Sequence, residues 1–189
     1  MGLVRPTWGS GRVMGMNIKT DMLAILERTG YVAEKKNLFD SMTGQELLRF
    51  NRAFFPTWSD PLAVKYTTRL EIPLERPFKT LSLGNRTKLF LLMALAQGAD
   101  LLIVDEPTQG LDPVVTEELT KILIEDHANE GHTVFLSSQD LAAVEQVADW
   151  VGIIHEGKLL LEARLDDIRT EFRRISASGN ALPTSRTQQ

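Results

Sequence analysis

The residues able to do chemistry sit near the middle of the chain. Leu101-Leu102-Ile103-Val104 is an apolar run of the length of a buried strand, and it ends in two adjacent carboxylates, Asp105 and Glu106. A carboxylate at a strand end can hold Mg2+ through water, and a second beside it can take the proton of an attacking water. Phosphoryl transfer needs both. Upstream, Ser82 stands where a helix N-cap belongs, so the Ser82 hydroxyl and the backbone N–H groups of Leu83 and Gly84 form a ready anion site. Gly110-Leu111-Asp112 follows the carboxylates, and Ser137-Ser138 ends the next apolar run. A polar turn closing a core strand explains any one of these features. It does not explain their joint order and spacing.

Such a site normally works beside a glycine-rich phosphate loop. The pattern G-x-x-x-x-G-K-[ST] has one near match, Gly152 to Lys158, but Leu159 stands where a Mg2+-binding hydroxyl is needed. Its surroundings read as strand, Glu156-Gly157 turn, strand, whereas a phosphate loop leads from a strand into a helix. Gly9, Gly11 and Gly15 do not fit the dinucleotide-binding spacing either.

The elements that must position these residues follow from periodicity and punctuation. After the Trp8 to Gly11 turn signal, Arg12 to Ile18 alternates as a strand. Met22 to Arg28 predicts a short helix stopped at Gly30, and Tyr31-Val32-Ala33 a brief strand ending at Glu34. Thr43-Gly44-Gln45-Glu46 matches a capping box, and Leu47, Leu48, Phe50 and Phe54 recur at helical spacing until Pro56. A second helix spans about 61–70, and Ser82 opens a helix over 83–97 that Gly98 closes. Phe50, Phe54, Phe55 and Trp58 read as core of this helical region.

From Leu101 onward strand and helix alternate. Asp112 as N-cap and Pro113 in the first turn open a helix to about Asn129, Thr133 to Leu136 is a buried strand, and Asp140 caps a helix to about Ala148. Val151 to Ile154 and Leu159 to Leu161 pair across Glu156-Gly157, and Asp166 to Arg174 is helical. This pattern predicts an α/β domain with a mostly parallel sheet covered on both faces. Leu38 to Thr80, being helix only, reads as an insertion, and the Ser, Thr, Gly and Gln-rich residues 176–189 as a disordered tail.

Composition excludes several functions. The chain has 189 residues, 43% hydrophobic and 24% charged, enough for one globular domain with a subdomain. A net charge of -4 argues against a nucleic-acid partner, since non-specific backbone binding relies on dense Lys and Arg. Without cysteine there is no disulfide or thiolate metal site, and His127, His132 and His155 lack a ligand spacing. The longest apolar run, Leu89 to Ala96, falls far short of the ~20 residues that span a bilayer.

On these residues the sequence resembles the nucleotide-binding domain of ABC transporters, of the bacterial exporter type with a separate membrane chain. Leu81-Ser82-Leu83-Gly84-Asn85 stands in place of the Leu-Ser-Gly-Gly-Gln signature, Leu101 to Pro107 resembles Walker B, and Gly110-Leu111-Asp112 resembles the D-loop. Gly30 to Glu34 falls at the Q-loop, and Leu136 to Asp140 at the H-loop. The resemblance implies a P-loop NTPase (RecA-like) fold divided into a core remnant (1–37), a helical subdomain ending in the signature helix (38–97), the core with Walker B, D-loop and H-loop (98–175) and the tail (176–189). It also implies ATP and Mg2+ as ligands. Asp105 would organise the metal with Glu34, Glu106 would act as base, and Gln139 would occupy the catalytic H-loop position. Ser82, Leu83, Gly84 and Asn85 would complete the site of a second, head-to-tail domain, with Asp112 linking the two sites. The partners implied are that second domain and a membrane permease, which would hold the protein at the inner face of the cell membrane.

Three departures bear on activity. Gln139 replaces the H-loop histidine, and an amide can donate a hydrogen bond but cannot carry charge or shuttle a proton. Glu34 replaces the Q-loop glutamine and adds a negative charge. Met1 to Thr7 resembles the end of the phosphate-loop helix, which leads to the expectation of a chain truncated before or through Walker A. About five charge-assisted hydrogen bonds at ~1.5 kcal/mol each would then be lost, leaving ATP weakly held in this chain's own half-site. In the family the strand bearing the phosphate loop lies beside Walker B, so its absence predicts a central strand with unpaired backbone groups. One alternative is a regulatory half-site that only completes the site of a loop-bearing chain. Another is a soluble ABC ATPase of DNA repair or translation, for which no coiled-coil arm or basic second domain is visible.

Overall fold

The computed structural model describes residues 2, 4–35, 39–127 and 131–171, which fall into two compact units divided after Val147. In the first unit the order is β1 (Arg12–Val13), β2 (Met16–Asn17), α1 (Met22–Glu27), β3 (Thr29–Val32), α2 (Gly44–Arg52), α3 (Asp60–Arg69), α4 (Leu83–Ala96), β4 (Leu101–Asp105), α5 (Pro113–Lys121), β5 (Thr133–Ser137) and α6 (Leu141–Val147). The second contains β6 (Trp150–His155), β7 (Lys158–Arg164) and α7 (Leu165–Glu171).

The first unit is organised by α4. This helix starts where Ser82 accepts a hydrogen bond from the Asn85 backbone N–H, and it stops ahead of Gly98, whose φ of 65° suits glycine. Between these ends it is apolar nearly all round, with Leu89, Leu91, Leu92, Met93, Leu95 and Ala96 buried, as expected of a helix enclosed by other elements. One side packs on β3 and the other on α2 and α3. Both of those helices have side-chain caps. Thr43 and Glu46 form the reciprocal capping box of α2, and Ser59 caps α3 with Pro61 in its first turn. The Thr43 backbone N–H, then its side chain, hydrogen-bond Glu46 and hold that carboxyl below its ordinary pKa.

The sheet is parallel, in the order β3-β4-β5. Register puts Val32, Val104 and Leu136 on one line, and Tyr31, Ile103 and Phe135 on the next. Val32 and Val104 are fully buried in the core that contains α4, whereas Tyr31 and Ile103 are half-buried and Phe135 is 64% exposed. The expected cover on both faces therefore holds for one face, and β5 is a partly exposed strand rather than a buried one. The expectation of an unpaired Walker B strand is also overturned. β4 is central and hydrogen-bonded to β3 on one side and β5 on the other, so its backbone groups are satisfied, and the sheet edges are β3 and β5.

Other elements differ in detail. Arg12 to Ile18 is not one strand but a tight antiparallel hairpin, because Met14 and Gly15 both take positive φ (50° and 77°), which turns the chain back on itself. The helix opened by Asp112 is α-helical to Lys121 and then widens into a π-helical turn, Ile122–His127. Phe50 and Phe54 do not enter the core. They stack edge-to-face with each other, and Phe39 stacks on Phe50, while Phe54 stays 63% exposed. The rest of the Asp166 to Arg174 helix and the tail lie outside the described residues.

In the second unit β6 and β7 form an antiparallel hairpin across Glu156 and Gly157, both at positive φ, with His155 opposite Lys158. The near match to a phosphate loop is thus strand, turn, strand. The Leu165 N–H donates to the Asp149 carbonyl and ties the start of α7 to the hairpin base.

α4 lies close on the sheet at Gly30 of β3. A Cβ there would lie 2.9 Å from the Ala94 carbonyl oxygen and 3.0 Å from Leu102 Cδ1. Gly30→Ala is expected to cost about 1–3 kcal/mol in urea unfolding, because helix and strand must separate to admit one methyl. An unchanged midpoint would contradict this packing.

Candidate functional site

The carboxyl ends of β3, β4 and β5 carry Glu34, Asp105, Glu106 and Gln139. Glu34 follows β3 and is exposed, Asp105 ends β4 half-buried, Glu106 comes next, and Ser138 and Gln139 follow β5. In a parallel α/β sheet this is the edge along which ligands bind, since loops leaving adjacent strands line one crevice. Asp105 lies directly opposite Ser137, whose Oγ donates to Asp105 Oδ1. The Tyr31 phenol is aimed at the same carboxylate. Burial first, then the charge and hydrogen bonding of Asp105, push its pKa above the ordinary tyrosine value.

Glu106 is held in a conformation that L side chains rarely adopt, with φ of 44°. Its N–H donates to the Ser137 carbonyl at 3.1 Å, and its carbonyl accepts from the Gln109 N–H at 3.4 Å. The turn after β4 is therefore fixed to β5, and the strain falls on the carboxylate proposed from sequence as the base.

The second group of residues forms around the N-terminus of α4. Ser82 Oγ caps the helix at 3.2 Å from the Asn85 N. A Cβ on Gly110 would lie 3.2 Å from Leu83 Cδ2, and one on Gly84 3.7 Å from Val115, so the Ser82 to Asn85 segment packs against the Gly110 to Asp112 turn. Gly110 itself needs its freedom, having φ of 74°. Asp112 caps α5, its Oδ1 accepting from the Val115 N–H at 3.0 Å. Leu83 is 46% exposed and Ser82 is exposed, leaving this helix end accessible.

Among the described residues, no group of three or more His, Cys, Asp or Glu stands close enough to cage a metal ion. Mg2+ takes one or two carboxylates and completes its shell with water and phosphate oxygens. Asp105 and Glu34 offer the hard oxygen donors for it. Sequence reasoning did not single out Tyr31 or Ser137 as neighbours of Asp105. Strand alternation contained the signal, because Tyr31 falls on the sheet face of Ile103 and Asp105.

A parallel sheet with an Asp-Glu pair closing its central strand, beside a capped helix packed on a Gly-Leu-Asp turn, defines a P-loop NTPase-type α/β domain. A family model described as "AAA domain, putative AbiEii toxin, Type IV TA system" matches residues 29–145, more than half of the chain. The bacitracin transport ATP-binding protein BcrA of Bacillus licheniformis is 32% identical over 176 residues, covering 92% of this chain and 58% of that protein. The ATP-binding subunit of an ABC transporter superposes with a TM-score of 0.79 at 24% identity, over 90% of this chain and 72% of that one. A dimeric bacterial ABC transporter cassette gives 0.75 at 21% identity, over 87% of this chain and 76% of that one. At such identities the two structures establish the fold. The chain belongs to the family of that AAA domain model, and it is similar to ATP-binding proteins of ABC transporters. It spans 58% of the length of its bacitracin-transport relative.

The backbone strain at Glu106 has a measurable consequence. Glu106→Gly relieves a positive φ and is expected to raise stability by about 1 kcal/mol, or about 2–4 °C in thermal midpoint. A fall in the midpoint would mean that the Glu106 side chain stabilises the turn.

Proposed function

We propose that this chain is the ATP-binding subunit of an ABC transporter and couples ATP binding and hydrolysis to movement of a separate membrane permease. The observation that carries the reading is the placement of Asp105 and Glu106 at the carboxyl end of the central parallel strand, with Glu34 and Gln139 at the ends of its two neighbours. Asp105 and Glu34 would hold Mg2+, which when bound neutralises charge on the nucleotide phosphates. Glu106 would accept the proton of the attacking water, and Gln139 would donate a hydrogen bond from the H-loop position.

The capped end of α4 serves the other half of the mechanism. Ser82, Leu83, Gly84 and Asn85 would meet the γ-phosphate held by a second domain in a head-to-tail dimer, and Asp112 would connect the sites. Support comes from the exposure of Ser82 and Leu83 and from their packing on the Gly110 to Asp112 turn. The division into a core remnant over 1–37, a helical subdomain over 38–97, a core over 98–175 and a tail over 176–189 belongs to this proposal. Among the described residues no helix is long and apolar enough to cross a membrane, so attachment to the inner face would run through the permease. The names of relatives acting in bacitracin and lantibiotic transport point to small peptide antibiotics as the cargo class.

Gln139 favours a second reading, in which this chain supplies only Ser82 to Asn85 to a loop-bearing partner. ATPase assays of the chain mixed with a phosphate-loop-bearing ABC domain separate the two. On the main reading Glu106→Gln lowers turnover about 100-fold or more, as for loss of a general base, and Ser82→Arg abolishes the partner-dependent rate. Activity lost in Ser82→Arg yet unchanged in Glu106→Gln would establish the half-site reading instead.

A further inference from the structure

Two hydroxyl groups flank Asp105 across the sheet. Ser137 on β5 stands opposite Asp105 in the ladder and donates to its Oδ1. Tyr31 on β3 stands opposite Ile103, two residues before Asp105 and on the same sheet face. The three residues come from three hydrogen-bonded strands, so their spacing is set by backbone ladders rather than by a loop. Asp105 and Tyr31 are half-buried, which limits the water that would otherwise solvate the carboxylate.

We propose that Ser137 and Tyr31 are positioning residues that clamp the Asp105 carboxylate from both neighbouring strands and fix the oxygen it presents to a nucleotide-bound divalent cation. The inference rests on the assignment of Asp105 as the Mg2+-organising group. A free aspartate rotates about two side-chain bonds, and a ligand that must be immobilised on binding loses affinity to that entropy. Hydrogen-bond partners of a metal ligand hold it in place beforehand, and removing one typically costs 10–100-fold in metal affinity. Neither hydroxyl needs to touch the metal. The clamp also explains why the position opposite Asp105 is serine, since an apolar residue there would leave the carboxylate held from one side only.

The test uses the full chain with ATP and Mn2+ as the probe cation, following protein-bound Mn2+ as the excess retained on the protein side in equilibrium dialysis. Wild type, Asp105→Asn, Ser137→Ala, Ser137→Thr and Tyr31→Phe are compared, with thermal midpoints recorded for each. The expected result is Mn2+ binding that depends on Asp105, weakens about tenfold in Ser137→Ala and in Tyr31→Phe, and returns to the wild-type value in Ser137→Thr. Rescue by threonine separates positioning from a general loss of structure. Binding lost in Asp105→Asn but equal to wild type in Ser137→Ala and Tyr31→Phe would overturn the clamp and leave the metal assignment standing. Binding absent from wild type, or unchanged in Asp105→Asn, would overturn the metal assignment and the clamp with it.

Discussion

The architecture of the first unit depends on how closely α4 lies on the sheet. Gly30 presents no side chain to hold the helix off β3, and Ala94 presents a small surface to it. With that spacing set, Leu89, Leu92, Leu102, Val104 and Val32 close into one core, each essentially excluded from water. Every such side chain is worth about 1.5–3 kcal/mol on burial, which makes this contact the main source of cohesion. The same helix braces α2 and α3 on its far side. Lys88 extends the bracing with charge. Its Nζ lies 2.7 Å from Glu118 on α5 and 3.1 Å from the Leu70 carbonyl at the end of α3, and its side chain is only 13% exposed. One helix thus carries an accessible N-terminus at Ser82 while its body fixes the strands whose ends bear Asp105 and Glu106.

The two chemical groups of the molecule arise from opposite kinds of order. At the strand ends, position comes from ladders: Asp105 is opposite Ser137, and the Glu106 N–H is tied to the Ser137 carbonyl. At the helix ends, position comes from caps, since Ser82 and Asp112 each satisfy an N–H of the helix they open. The cost of this order is local and visible in the positive φ of Glu106 and Gly110, which bracket the turn between β4 and α5. Strain at a residue supported on both sides by hydrogen bonds is sustainable.

Much of this was legible in the sequence because it is written in local chemistry. The capping box at Thr43 and Glu46, the caps at Ser82, Asp112 and Asp140, and the apolar run before Asp105 all formed as expected. The Gly152 to Lys158 pattern was separable from a phosphate loop for the same reason, as its neighbours alternate like strands. Non-local facts were not legible. Which strands flank β4 depends on chain crossover, and the reading that left β4 unpaired failed there. Exposure of Phe50 and Phe135 failed likewise, because an aromatic side chain reports a preference for burial and not whether a partner surface exists. Met14-Gly15 was a turn hidden inside an alternating pattern, betrayed only by glycine. The Tyr31 contact needed the register of two strands far apart in sequence.

On the proposed function, the carboxyl ends of β3, β4 and β5 and the N-terminus of α4 meet nucleotide, directly or through a partner domain. Hydrogen exchange read by mass spectrometry tests it most directly, comparing the chain mixed with a phosphate-loop-bearing ABC domain in the presence and absence of Mg2+ and ATP. Slowed exchange is expected at Glu106 to Asp112 and at Leu83 to Asn85, with the hairpin of β6 and β7 unchanged. Identical exchange in both segments with and without nucleotide, while the loop-bearing partner is itself protected, would contradict it.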